Sequence, residues 1–96
     1  MASHMEVGEW YAHKHKFASA YTEIDEELYF TAVAEQKNGG MAGILVTVDL
    51  SRPRAKPKFK KSSVSKFEAH LLAPAPGGFW RRINKNDLPA KVREYL

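Results

Sequence analysis

The hydrophobic pattern is most strand-like in two stretches, 27–35 (ELYFTAVAE) and 42–50 (AGILVTVDL). They are the two richest in β-branched and aromatic residues, which is typical of strands. The segment between them, 36–41 (QKNGGM), contains Asn-Gly-Gly at 38–40, and these residue types tolerate the positive φ that a tight turn requires. The pattern therefore predicts a β-hairpin over residues 27–50.

The register of this hairpin depends on the turn. A two-residue turn at 38–39 would pair Phe30 with Thr47 and mix apolar with polar side chains. A three-residue turn, with Gly40 left-handed after a type I turn, pairs Phe30 with Val48 and sorts the apolar side chains onto one face. Because one face of the sheet has to be buried, we predict the three-residue turn.

Three other stretches also alternate in the manner of strands. Residues 6–20 predict a first strand, and an acidic connection over 21–26 leads from it to the hairpin. Residues 62–73 and 79–83 flank the proline- and glycine-rich turn 74–78. They therefore predict a second hairpin.

The last residues favour a helix. Asp87 is a good N-cap, and Pro89 lies in the first turn, where its missing N–H costs nothing. The apolar residues that recur at helical spacing are Leu88, Val92, Tyr95 and Leu96. About ten residues are too few for a helix to be stable alone, so this stripe has to dock on the sheet. We predict a β-rich α+β fold of about five mostly antiparallel strands, as a sheet or partial barrel, with one short C-terminal helix.

The length and composition of the chain indicate a single domain. Residues 1–5 (MASHM) read as an expression scar, so we assign the domain to residues 6–96, with a basic loop over 51–61. No apolar run approaches the ~20 residues of a membrane span, so we expect no membrane partner. The chain contains no cysteine, which excludes thiolate chemistry and cysteine zinc sites. This composition fits a reducing, intracellular location in the cytoplasm, nucleoid or nucleus.

The charge is distributed unevenly along the chain. Residues 1–50 contain three Lys and Arg against eight Asp and Glu, whereas 51–96 contain twelve against three. The cations concentrate in the arm 51–61, and those of the arm are Arg52, Arg54, Lys56, Lys58, Lys60 and Lys61. Pro53 and Pro57 interrupt the arm, so we expect an extended, mobile loop. The asymmetry indicates nucleic acid or another polyanion as partner, or else a surface whose two halves pair with each other.

Candidate catalytic and metal sites are weak. His13 and His15 share one side of a strand and His70 could add a third ligand, but surface histidines fit the same pattern. The acidic cluster at 23–27 lies in a polar, solvated connection, which does not suit acid–base catalysis. The serines within 62–65 lack the strand–turn–helix elbow of a nucleophile. We therefore expect no enzymatic activity, no metal and no cofactor.

The cations occur beside aromatic residues. Arg81 and Arg82 directly follow Phe79 and Trp80. Proteins that hold single-stranded nucleic acid combine cations that track the phosphates with aromatic faces that stack on bases. The predicted nucleic-acid-binding residues are Arg52, Arg54, Lys56, Lys58, Lys60, Lys61, Arg81, Arg82 and Trp80. We expect a small module for single-stranded DNA or RNA without strong sequence specificity. If Phe79 and Trp80 instead belong to the core, only the cations are left as predicted contacts to the nucleic acid.

A second function fits the same arm. A basic, proline-containing segment can become ordered on any polyanionic surface, including that of a protein. The alternative is therefore a protein-interaction or assembly module, such as a subunit, adaptor or inhibitor. Its arm would dock on an acidic protein partner or become ordered across a homodimer interface.

Overall fold

The computed structural model describes residues 4–52, 54–70, 72 and 79–96. In chain order the elements are β1 (Trp10–Ala18), β2 (Glu23–Glu35), β3 (Met41–Asp49), β4 (Lys58–Val64), α1 (Lys66–His70), β5 (Arg81–Ile83), a 3₁₀ helix (Lys85–Asp87) and α2 (Ala90–Arg93). Within these ranges the strands form one five-stranded sheet in the order β4-β3-β2-β1-β5, with every adjacent pair antiparallel. The predicted fold class is confirmed, in the form of a sheet whose edges are β4 and β5.

Each face of the sheet is covered in part by one short helix. On one face Tyr11 and Phe30 pack in a common core with Ala69 of α1. On the other face Tyr29 packs in a second core with Val92 of α2. We call these the α1 face and the α2 face. Because side chains alternate along a strand, neighbouring residues of β1 and β2 contribute to different cores.

The turn of the central hairpin has the predicted type but lies one residue earlier. The Gly39 N–H donates to the Gln36 carbonyl at 3.0 Å, and the Gln36 N–H donates to the Gly40 carbonyl at 2.8 Å. The loop is therefore 37–39, and Gly39 adopts the left-handed conformation with φ of 87°. The prediction of a left-handed Gly40 is wrong.

A bulge in β2 changes the register a second time. It lies between Ala32 and Ala34, and beyond it Phe30 pairs with Leu45 instead of the predicted Val48. The predicted register is wrong, because Phe30 contributes to the α1-face core and Val48 to the α2-face core. The prediction assumed one buried face, whereas the two helices create a need for apolar side chains on both.

The predicted second hairpin is wrong because its strands pair elsewhere. β4 begins at Lys58, inside the arm predicted as a loop, and pairs with β3, whereas β5 pairs with β1. Ser65 then ends β4, and its hydroxyl accepts the Glu68 N–H at 3.2 Å at the start of α1. This local capping signal prevails over the strand-like alternation predicted for 62–73. The predicted turn 74–78 lies outside the described residues.

The C-terminal segment docks on the α2 face as predicted but is divided into two short helices. Asp87 is not the N-cap of α2; its carboxylate accepts the Asn84 N–H at 3.0 Å at the 3₁₀ helix, and α2 begins after Pro89. In the predicted apolar stripe, Leu88 and Val92 are buried, whereas Tyr95 and Leu96 are exposed. No helix in the described part of the chain is long and apolar enough to span a membrane.

The N-terminal segment completes the α1-face core. Met5 is fully buried, and its N–H donates to the Ala69 carbonyl at 2.8 Å. The next N–H, that of Glu6, donates to the Tyr11 hydroxyl at 2.7 Å. Met5 therefore packs against α1, although it lies in the segment that the sequence analysis assigned to an expression scar.

Candidate nucleic-acid interface

Three cations of the arm lie on one edge of the sheet, and the other three lie in the connection between β3 and β4. β4 pairs with β3 on one side and forms the edge of the sheet on the other. The strand pleat directs Lys58 and Lys60 to the α1 face and Lys61 to the α2 face. We call the full set the basic edge, and its members are Arg52, Arg54, Lys56, Lys58, Lys60 and Lys61.

The charge of the basic edge is accessible. All six of its side chains belong to exposed residues. Among the residues that the structure describes, one of these six cations forms an ion pair. Arg52 lies 4.0 Å from Asp49, and the Arg52 side chain is 80% exposed. Such an exposed ion pair contributes little to stability and leaves the Arg52 side chain accessible to solvent. The positive charge of the basic edge is therefore available to attract an anion.

Asp49 anchors the start of the arm at the end of β3. Its carboxylate accepts hydrogen bonds from the Ser51 hydroxyl at 2.6 Å and the Ser51 N–H at 3.0 Å. The hydroxyl hydrogen bond is the largest cause that holds the pKa of Asp49 below its usual range, so this carboxyl stays ionised. A cleft of about 100 Å³ beside it is lined by Glu26, Thr47, Asp49, Arg52, Ala55, Lys56 and Lys58.

Arg81 and Arg82 lie at the opposite edge of the sheet from the arm. They belong to β5, and four strand spacings, roughly 19 Å, separate β5 from β4. Arg81 pairs with Glu27 at 3.2 Å, and Arg82 pairs with Glu9 at 3.3 Å. The structure therefore does not bring these two cations together with the arm, and it places carboxylates against both.

Trp80 is a core residue. Its side chain contributes to the α1-face core, the residue is 3% exposed, and its indole N–H donates to Glu68 Oε2 at 3.3 Å. The prediction that Trp80 offers a face to a base is therefore not compatible with its placement. The neighbouring Phe79 is 40% exposed and stacks on His13 with ring centroids 3.6 Å apart. The sequence contained no signal for this contact, since 66 positions separate the two residues.

The histidines do not converge on one site. His13 Nδ1 lies 3.0 Å from the Phe79 carbonyl oxygen, and His15 Nδ1 lies 3.3 Å from Glu26 Oε1. His70 lies instead against His4, with ring centroids 4.3 Å apart. Across the described ranges, no group of three or more His, Asp or Glu side chains is placed to hold a metal ion.

Comparisons with known proteins give no relative from which a function could be transferred. No protein-family model matches the chain, and no curated protein or solved structure is significantly similar to it. The function has to be argued from the geometry and the charge of the chain itself.

Proposed function

We propose that this protein binds nucleic acid through the basic edge, with single-stranded DNA or RNA as the preferred ligand. The observation that carries the proposal is a set of six exposed cations, three on the edge strand β4 and three in the connection before it, of which Arg52 alone has an ion-pair partner in the described chain. Lys and Arg that neutralise phosphates supply most of the affinity in sequence-independent binding.

The geometry of β4 suits an extended polyanion. Lys58 and Lys60 point to the same side of the strand and are about 7 Å apart along it, and Lys61 points to the other side. A phosphate backbone that runs along this edge meets cations from both faces of the sheet. The hydrogen bonds that Ser51 donates to Asp49 fix the backbone where the arm leaves β3.

The fold favours contacts that position the nucleic acid over contacts that read its sequence. The helices α1 and α2 have five and four residues, too short to serve as recognition helices in a major groove. Contacts to phosphates fix the position of a protein on its ligand without distinguishing bases. We therefore expect similar affinities for unrelated sequences.

A second candidate is a protein-interaction module with an acidic partner. The observation in its favour is that β4 is an edge strand, with main-chain groups that another strand could pair with. An acidic extended segment would satisfy the main chain and the lysines together. A second copy of β4 would instead bring lysines against lysines, which is unfavourable.

The test is a titration of fluorescent single- and double-stranded oligonucleotides at two salt concentrations, read by anisotropy. Replacing Arg52, Arg54, Lys56 and Lys58 with Gln should weaken binding and leave the melting temperature near that of the parent, because these side chains are exposed. The log–log salt dependence should flatten by roughly 0.7 for each phosphate of a single strand that the variant no longer neutralises.

A matched pair of double variants separates location from net charge. Lys58→Gln with Lys60→Gln removes two lysines from β4, and Lys14→Gln with Lys16→Gln removes two equally spaced, exposed lysines from β1. The first should weaken binding more than the second. If the parent shows no salt-dependent affinity for any oligonucleotide near physiological ionic strength, the proposal fails and the acidic protein partner takes its place.

A further inference from the structure

Part of the α1 face is left open beside the basic edge. The strand pairings place four residues in a row across the sheet, and from the β4 edge inward these are Lys58, Thr47, Leu28 and His13. Lys58 is exposed and the other three are partly exposed, in contrast to the fully buried Phe30 two positions along β2. The row is a shallow surface with a cation at one end and an imidazole at the other.

The far end of this row holds a preorganised aromatic surface. The rings of His13 and Phe79 are nearly parallel, with an interplanar angle of 22° and centroids 3.6 Å apart. Trp80 contacts the same phenyl ring in a T-shaped arrangement, with centroids 5.3 Å apart. Phe79 is thus fixed from two directions, yet 40% of it remains exposed. Single-strand binding proteins stack bases on accessible aromatic side chains.

We propose that Phe79, backed by His13, is the stacking platform for an unpaired base of a nucleic acid held at the basic edge. This inference rests on the proposed function and extends it to a defined ligand class, a single strand whose bases are free to leave their own stack. A duplex does not offer such a base without being opened.

The charges between the basic edge and Phe79 define the path of the bound nucleic-acid strand. Between Lys58 and His13 lie Thr47 and Leu28, which are neutral, and the next row on this face, farther from the β2–β3 turn, contains Asp49 and Glu26. Those carboxylates repel phosphates, so the nucleic-acid strand crosses over the neutral row. Its bases face the sheet and its phosphates face water. Three strand spacings, roughly 14 Å, separate β4 from β1. A ligand must therefore span several nucleotides to reach both the edge and the platform.

The experiment compares Phe79→Ala with Phe67→Ala, an aromatic truncation at a more exposed position on α1 that lies outside the row. The probe is oligothymidylate of two and of ten nucleotides, read by anisotropy. Phe79→Ala should weaken binding of the decamer about tenfold, as loss of one stacked base does, and leave the slope against salt unchanged. Phe67→Ala should bind like the parent, and so should Phe79→Trp, which keeps an aromatic face.

Additional variants and probes distinguish the loss of stacking from a loss of folding. Phe79→Leu preserves apolar contact with His13 without an aromatic face, so it should lose affinity like Phe79→Ala even if the alanine variant folds poorly. The dinucleotide and a DNA duplex should be insensitive to all Phe79 variants. If Phe79→Leu binds the decamer as tightly as the parent while neutralising the basic edge abolishes binding, the platform is overturned and the proposed function stands. If the parent binds no oligonucleotide, both are overturned.

Discussion

Two glycines shape the β2–β3 hairpin through the backbone. Gly39 supplies the left-handed residue that closes the turn, with φ of 87°. Gly43 pairs with Ala32 at the bulge, and a β-carbon at Gly43 would collide with the Thr31 carbonyl oxygen. The two strands therefore approach each other more closely here than any residue with a side chain allows.

Gly43→Ala is expected to destabilise the fold by about 2 kcal/mol or more, because the obstacle is backbone that cannot rotate away. Urea denaturation followed by tryptophan fluorescence measures the loss. Gly8→Ala is the control: its β-carbon would meet nothing within 4 Å, so the cost there is only that of φ at 90°, roughly 1 kcal/mol. An unfolding midpoint for Gly43→Ala equal to that of the parent would contradict the close approach.

The residue types in the turn predicted its kind but not its position. Asn-Gly-Gly offers two glycines that could be left-handed, and choosing Gly39 over Gly40 moves the loop by one residue without changing which side chains share a face. The bulge changes the face, and it lies in Ala32-Val33-Ala34, which contains no glycine or proline to mark it. The final register is explained by the demand of two cores for apolar residues, together with Gly43 opposite the bulge, where no β-carbon fits.

The two helices are too short to be stable without the sheet. α1 has five residues and α2 has four, so each depends on the apolar side chains it buries, Ala69 in α1 and Val92 in α2. The apolar stripe of the C-terminal segment was visible in the sequence, and its docking could be predicted. α1 could not, because the strand-like alternation after Ser62 hid the capping signal between Ser65 and Glu68.

Val92→Asp is expected to cost about 3–4 kcal/mol, since it places a charge in the fully buried centre of the α2-face core. The free energy of unfolding from urea titration provides the measurement. Leu96→Asp introduces the same charge at a residue that is 54% exposed, and it should change stability by no more than about 0.5 kcal/mol. Equal stability of the two variants would show that α2 does not pack on the sheet.

At the scale of the whole molecule, strand order decides which cations remain available. Because β1 lies between β2 and β5, the arginines of β5 come close to carboxylates of β2 and of the N-terminal segment. β4 lies at the other edge, away from Glu6, Glu9 and Glu27, although its first lysine, Lys58, lines a cleft with Glu26 and Asp49. The sequence revealed the excess of cations in residues 51–96, but it could not divide them into paired and unpaired groups, since the division depends on the pairing of distant strands.

Neutralising Arg81 and Arg82 together, as Arg81→Gln with Arg82→Gln, should therefore leave oligonucleotide affinity within about twofold of the parent. The two side chains are about half exposed and are already paired with Glu27, Glu6 and Glu9. Loss of these pairs should lower stability by no more than ~1 kcal/mol. The Lys58→Gln, Lys60→Gln variant removes the same charge at the other edge and should weaken binding and flatten the salt dependence. An equal loss in both variants, with an equal change in salt slope, would mean that the nucleic acid contacts both edges of the sheet.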